Sequence, residues 1–369
     1  MIKLISNPLL CFIISPMNAL TITLISIFSV IFGILLISSI FSYIGYKAIW
    51  NARTYEINDP VKIQFEDIEE WTTRIPLSFK IKKKLPDFDK EVRGFIYSPK
   101  DNSIKKRPIV IMSAGYGRTH LSYLLDIGIL TNDGFEVFAF DQFGTGMSGG
   151  SKQRGIHFGR ITLDSVLNSI KESKVFEGRP IYLYGHSWGG YSVLSVLGKH
   201  KEISKVIARS PAGKPVLSTY VLGQSMLGKF LTNFLYIVGI PMIFLFQGPS
   251  AFVSAANQVK KNKNTKILIT SCKEDPTVLT IASPIPKLIK NSQENVEFYI
   301  RNDLNIHNDL LSKEGYDYFK EKQAEFYSIM NTIDSSYEER MNDFLSALDR
   351  TKITSDSNEK EKILNFLNK

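Results

Sequence analysis

The segment Tyr182-Leu183-Tyr184-Gly185-His186-Ser187-Trp188-Gly189-Gly190 places a serine at Gly-x-Ser-x-Gly spacing. An apolar, β-prone run from Ile181 to Tyr184 leads into it, and a helix-forming run from Tyr191 to Gly198 follows. A serine at the apex of a strand–turn–helix is held in a strained backbone conformation with its hydroxyl exposed, which suits a nucleophile. The turn needs small residues two positions to either side, and Gly185 and Gly189 supply them. The competing reading is a glycine-rich turn without chemistry, and the flanking strand and helix patterns weigh against it. A serine hydroxyl is a weak nucleophile alone, so a base and an acid that orients the base must come from elsewhere in the chain.

With such an elbow the acid and then the histidine follow later in the sequence. Thr265 to Ser271 reads as a buried strand that ends in Cys272-Lys273-Glu274-Asp275-Pro276-Thr277-Val278. Asp275 is preferred to Glu274 because Pro276 fixes the following turn and Val278 can anchor it. Val296 to Ile300 alternates as a strand does, and His307 lies in the polar loop after it. Of the five histidines, His120 and His157 precede the serine, His186 is in the elbow itself and His200 closes the next helix, which leaves His307 as the base. A developing oxyanion needs preorganised donors. One is the backbone N–H of Trp188, the residue after the serine. The second is assigned to Tyr116, in the Ala114-Gly115-Tyr116-Gly117 loop that follows the strand from Arg107 to Ser113.

Together these ordered motifs resemble the α/β-hydrolases over about residues 89–327. Asp141-Gln142-Phe143-Gly144-Thr145-Gly146-Met147-Ser148 is similar to that family's D-x-R-G-x-G-x-S turn, and departs from it at Phe143, where arginine is usual. The resemblance implies a mostly parallel sheet with helices on both faces. A serine nucleophile sets the chain apart from the branches with an aspartate nucleophile, the dehalogenases and epoxide hydrolases. The residues need no metal and no cofactor for this chemistry.

The elements that must position these groups occupy the middle of a 369-residue chain. Strand-like runs at residues 91–98, 109–113, 135–140, 181–184 and 205–209 alternate with helical runs from about His120 and Ile161, which implies a parallel sheet covered on both faces. An earlier strand is expected at Leu77 to Lys82, inside a charged linker over residues 51–88. No side chain is charged between Lys3 and Lys47, and Leu20 to Ile44 is long enough to cross a bilayer, which takes about 20 apolar residues. Residues 1–50 are therefore expected to be a membrane anchor with a transmembrane helix at about 20–44, and Tyr43, Tyr46 and Trp50 to form an interfacial aromatic belt. A cleaved signal peptide is the competing reading, but the apolar run is long for one and no clear cleavage site follows. Residues 5–15 are apolar and too short to span. Lys47, Arg53 and Lys62 against Lys3 lean the body toward the cytoplasmic side. Cys11 and Cys272 form no disulfide framework, in keeping with a reducing compartment.

The formal net charge is +9, yet no nucleic-acid recognition motif appears. Lysines cluster at Lys80, Lys82, Lys83 and Lys84 and at Lys260, Lys261, Lys263 and Lys266. They suit anionic headgroups or an ordinary solvated face equally. An insertion over residues 212–264 stands where α/β-hydrolases carry a cap. From Pro215 to Val259 its only charged residue is Lys229, and Phe230 to Phe246 is apolar on nearly every side. Such a helix is buried or in lipid. A second full span would strand Asp275 across the membrane from Ser187, so a cap over the site or dipping into the bilayer surface is expected. Residues 333–369 read as a polar tail that frays, with one amphipathic piece at Met341 to Leu348.

The expected activity is hydrolysis of an ester or thioester of an apolar acyl group, with lipid as substrate and membrane lipids as surroundings. An aminopeptidase or amidase with the same triad is the second reading. A silent membrane scaffold that kept the fold is the third. Nothing in the sequence sets an oligomeric state.

Overall fold

Eight strands form one sheet: β1 (Thr72–Lys80), β2 (Glu91–Pro99), β3 (Ile109–Ser113), β4 (Glu136–Phe140), β5 (Ile181–His186), β6 (Lys205–Arg209), β7 (Lys266–Cys272) and β8 (Val296–Arg301). Their order is β1-β2-β4-β3-β5-β6-β7-β8. β2 is antiparallel to both β1 and β4, and the remaining pairs are parallel. The computed structural model describes residues 19–55, 59–81, 90–101, 107–278, 281–291, 293–307 and 310–369. The apolar segment at residues 5–15 with Cys11, and Lys82, Lys83 and Lys84, lie outside the described residues. β1 starts at Thr72 rather than near Leu77, because it pairs with β2 along its whole length, from Thr72 opposite Pro99 to Lys80 opposite Glu91.

The helices are α1 (Ala19–Trp50), α2 (Leu124–Asn132), α3 (His157–Ser173), α4 (Trp188–Val196), α5 (Pro215–Leu227), α6 (Lys229–Gln247), α7 (Ala255–Lys260), α8 (Ile285–Lys290), α9 (Lys313–Met330), α10 (Tyr337–Ala347) and α11 (Ser357–Asn368). The central strands β3 and β6 are buried at every residue, as strands covered on both faces must be. On one face Leu163, Val166, Val193 and Leu194 of α3 and α4 pack with Ile111 and Ile267 of the sheet. On the other, Leu124 and Ile127 of α2 pack with Tyr184, Ile363 and Phe366.

The C-terminal residues are not a frayed tail. α11 sets Ile363, Phe366 and Leu367 into the second core, three and four residues apart on one helix face, and α10 buries Phe344. Overall polarity hid this spacing in the sequence. Glu359 of α11 is fully buried, with Arg209 Nε at 3.6 Å and Arg301 Nη1 at 3.5 Å. Removing one partner of a buried ion pair leaves an uncompensated charge, which costs about 3–5 kcal/mol. Glu359→Ala is therefore expected to lower the unfolding free energy by about that amount in a urea titration. A loss under about 1 kcal/mol, the size of a surface pair, would show that the network contributes little.

α1 is 32 residues long and α6 is 19, and both are apolar and long enough to cross a membrane by length and composition. They touch: Ser39 Oγ donates to Val238 O and Ser42 Oγ to Leu235 O, each at 2.7 Å. Gly239 lies against Ser42 with no room for a Cβ. Small residues and hydroxyls at a helix crossing are the contacts that hold helices together in lipid. Outward, Phe230 is 90% exposed, Leu245 71% and Ile237 70%. The three aromatic residues at the end of α1 do not form the one interfacial belt that their positions predict. Tyr43 stacks on Phe246, but Tyr46 and Trp50 are buried in the protein core beside Phe143 and Trp188. An amphipathic ring suits a membrane interface or a half-polar protein seam equally, and the partner elements decide which.

Residues 51–54 are likewise not a free linker. Thr54 N donates to Gly144 O at 3.1 Å, and Gln153 N donates to Ala52 O at 3.1 Å.

Candidate active site

β5 delivers the serine. Ser187 has φ 55° and ψ −111°, a strained conformation for a residue with a side chain, between the last residue of β5 and the first of α4. Its N–H donates to Arg209 O of the neighbouring strand at 2.8 Å, and its carbonyl accepts from Tyr191 N at 2.9 Å. A Cβ at Gly185 would overlap the Gly189 backbone, and one at Gly189 would overlap the Ser113 carbonyl. The two glycines are what let the turn pack against β3. Trp188 opens α4, so its N–H has no carbonyl a turn earlier to bond.

Asp275 follows the C-terminal end of β7 and is buried. Its Oδ1 accepts from Thr277 N at 2.8 Å and Val278 N at 2.9 Å. Its Oδ2 faces His307 Nδ1 at 2.8 Å. Burial raises the Asp275 pKa, but the His307 hydrogen bond and charge and the two amides outweigh it and hold the carboxyl below its ordinary value. Asp275 is thereby kept ionised and pinned in one orientation.

The structure brings Asp275 and His307 together and sets the His307 ring against that of His186, with centroids 4.7 Å apart. His186 is the residue immediately before the serine. His307 Nε2 is buried and has no hydrogen-bond partner, so a Ser187–His307 bond is not formed in this structure. Catalytic hydrogen bonds commonly tighten only when substrate is bound. The His186 Nδ1 pairs with Tyr123 OH at 2.9 Å. Burial, then the neighbouring His307, drives the His186 pKa well below its ordinary value, so this ring stays neutral beside His307. The other histidines are occupied or poor bases. His120 Nδ1 pairs with Asp141 Oδ1 at 2.8 Å. Burial pushes His157 down to about 4. His200 lies between Asp164 and Glu202. Burial pushes the Cys272 thiol up to about 11, so it is no rival nucleophile.

Tyr116 sits in a tight turn in which Arg118 N donates to Gly115 O at 3.2 Å, Gly115 N donates to Tyr123 OH at 2.8 Å and Gly117 has φ 70°. The Tyr116 and Trp188 rings meet at 5.7 Å, which makes the two amide-bearing residues neighbours. The Asp141 turn braces this region. Asp141 is fully buried, and it accepts from His120 N at 2.9 Å through Oδ1 and from Met147 N at 2.9 Å through Oδ2. Phe143 is in the core. The guanidinium of Arg53, from just after α1, bonds the carbonyls of Gly146 at 2.8 Å and Ser148 at 2.9 Å. Sequence reading missed Arg53, because nothing local connects a residue after an anchor helix to a loop some ninety residues on. It also missed Arg209, though an arginine after the apolar run Val206-Ile207-Ala208 is a usable signal.

Two cavities flank the site, one of about 590 Å³ lined by Asp275, Val278, Ile285 and Ile289, the other of about 450 Å³ lined by Gly117, Arg118, Tyr123 and Tyr316. Neither is lined by Ser187 or His307.

The profile of the family described as "Serine aminopeptidase, S33" matches residues 104–309, more than half of the chain. The chain belongs to this family. Its fold is the α/β-hydrolase fold. It is similar to a monoglyceride lipase of Saccharomyces cerevisiae, 30% identical over 150 residues, which are 37% of this chain and 47% of the lipase. It is also similar to a proline iminopeptidase of Saccharolobus solfataricus, 33% identical over 98 residues, which are 26% of this chain and 30% of the peptidase. The chain thus spans half or less of the curated relatives it matches. A Pyrococcus furiosus esterase aligns over 81% of this chain and 98% of its own, with a TM-score of 0.51 at 18% identity. The esterase Est22 aligns over 84% of both chains, with a TM-score of 0.51 at 14% identity. Both structural likenesses are of fold.

Proposed function

We propose that the protein is a membrane-anchored serine hydrolase that cleaves a carboxylic ester or thioester of an apolar acyl group. The observation that carries this reading is the buried, unpartnered Nε2 of His307, on a ring held by Asp275 beside the strained Ser187 elbow. Ser187 Oγ attacks the substrate carbonyl while His307 Nε2 takes its proton. The amides of Trp188 and Tyr116 stabilise the oxyanion. The tetrahedral intermediate collapses, His307 protonates the departing alkoxide or thiolate, and an acyl-serine remains. Water gives up a proton to His307 and attacks the acyl-serine. The second tetrahedral intermediate then expels Ser187 Oγ, which takes that proton back from His307, and the acid is released. Asp275 holds the imidazole with its proton on Nδ1 throughout.

The apolar substrate is supported by the insertion between β6 and β7. α5 and α6 carry no acid and a single lysine, Lys229, and α6 lies on α1 with large apolar side chains outward. α1 supports the anchor, with the body on the cytoplasmic side from the lysine and arginine distribution. The family description and the iminopeptidase relative favour a second reading, aminopeptidase chemistry with the same triad. That reading needs an acidic group to bind a substrate amine, and α5 and α6 have none.

Turnover of p-nitrophenyl esters in detergent separates the two. kcat/KM is expected to rise from acetate to the C8–C12 esters, by about tenfold per two methylenes buried, at about 0.8 kcal/mol each. Peptide anilides are expected to stay near background. Faster turnover of an anilide with a free amino terminus than of any ester would replace the esterase reading with the peptidase one.

A further inference from the structure

The last turn of α1 is built into the candidate active site. Trp50 is 3% exposed, and its Nε1 donates to Thr219 Oγ1 of α5 at 3.0 Å. Its ring meets the Tyr116 ring edge-on, with centroids 4.8 Å apart and planes at 80°. The Tyr116 hydroxyl donates to Ile49 O at 2.8 Å. Carbonyls in the last turn of a helix lack intrahelical partners, so this bond satisfies a group that would otherwise be orphaned in a buried seam. The Tyr116 ring also packs on that of Trp188, the residue after the serine, with centroids 5.7 Å apart. One row of side chains therefore runs from the end of α1 through Trp50 and Tyr116 to Trp188, with α5 attached to its side. Tyr46, a turn earlier, is buried against Gly155, and Arg53, just beyond, ties the Asp141 turn.

We infer that Trp50 is a positioning residue for the reaction: it locks the Tyr116 loop, and with it an oxyanion donor, to the end of the apolar helix and to the insertion. This rests on Ser187 as nucleophile and on the Tyr116 amide as donor. An oxyanion donor works only if it is aimed before charge develops. Trp50 lines neither of the two cavities beside the site, and it holds that aim through the Tyr116 ring. Trp50 touches the Tyr116 ring and Thr219 and lines neither cavity, so for a small, soluble ester its loss is expected in kcat rather than in KM. The row also makes α1 more than a tether, since any tilt of that helix moves Trp50 and the Tyr116 loop together.

The full-length protein in detergent is assayed with p-nitrophenyl acetate and with a fluorophosphonate probe. Trp50→Ala is expected to lower kcat by about 10- to 100-fold, the scale of a 1 Å misplacement, with KM within about threefold. Probe labelling slows in parallel. Trp50→Phe keeps a ring against Tyr116 and is expected to restore kcat to within about threefold of wild type, while the loss in Trp50→Ala stays confined to kcat and labelling. Wild-type kcat and labelling in a folded Trp50→Ala overturn the inference, and so does an equal change in KM alone. If Trp50→Ala fails to fold by circular dichroism, Trp50→Leu decides. It keeps apolar volume in the seam but removes the edge-on ring contact with Tyr116 and the bond to Thr219, and an unchanged kcat there overturns the inference. A wild-type protein that neither labels nor turns over ester refutes the nucleophile assignment itself, and this inference falls with it.

Discussion

Ser187→Ala is expected to abolish fluorophosphonate labelling and to lower ester kcat by about 10⁶-fold, the scale seen when a triad serine is removed. The residual rate comes from binding and from the oxyanion donors, which the substitution leaves alone. Stability tells the same story from the other side. At φ 55° and ψ −111° alanine is as strained as serine, so Ser187→Ala should melt close to wild type. Ser187→Gly removes the Cβ and its strain and is expected to melt higher while remaining just as inactive. Covalent labelling of Ser187→Ala at the wild-type rate would remove Ser187 from the mechanism. A lower melting temperature for Ser187→Gly would show that the elbow is not strained.

Asp275→Asn is expected to lower kcat by about 10⁴-fold with little change in fold. The two amides of Thr277 and Val278 donate to Asp275 Oδ1, so an asparagine keeps its carbonyl there and turns its NH₂ toward His307. His307 Nδ1 must then accept, which moves the ring proton to Nε2. An imidazole with hydrogen on Nε2 cannot take the proton of Ser187. Labelling with the fluorophosphonate should slow by the same factor as kcat, because both need the same proton transfer. A loss below about tenfold would show that Asp275 does not set the tautomer, and Glu274 would become the acid to test. The pair also gives a pH signature. The Asp275 pKa is held below its ordinary value, so its contribution to stability is complete above about pH 4, where the unfolded carboxylate is ionised. That contribution is lost as pH falls through the lower folded value. An acid titration of the wild type against Asp275→Asn isolates it.

Both predictions concern residues legible in the sequence, and for one physical reason. An elbow is local: a strand pattern, a turn with obligatory small residues and a helix pattern occupy about fifteen consecutive positions. Asp275 and His307 were legible because each lies just after an apolar run that reads as a strand, and a parallel sheet brings its C-terminal strand ends to one edge. The same local grammar failed wherever the partner is distant. α11 reads as polar when averaged over its length, and only its docking against the sheet, with Arg209 and Arg301 beside Glu359, shows why a buried acid and three buried apolar residues share that helix. The first strand begins five residues before the run at Leu77 that signals it, because its pairing with β2, not its own hydrophobicity, sets where it starts.

By itself the sequence determined the strand–helix alternation, the serine elbow and the two loops that carry the acid and the histidine, because periodicity and turn chemistry are written in neighbouring residues. Only the tertiary structure decided that Tyr46 and Trp50 belong to the protein core, that α6 rests on α1 through Ser39 and Ser42, and that Arg53 bonds the Asp141 turn. An aromatic or basic side chain has the same hydropathy at a membrane surface as in a half-polar seam. What differs is the surface that meets it, and that surface is assembled from residues about seventy to two hundred positions away.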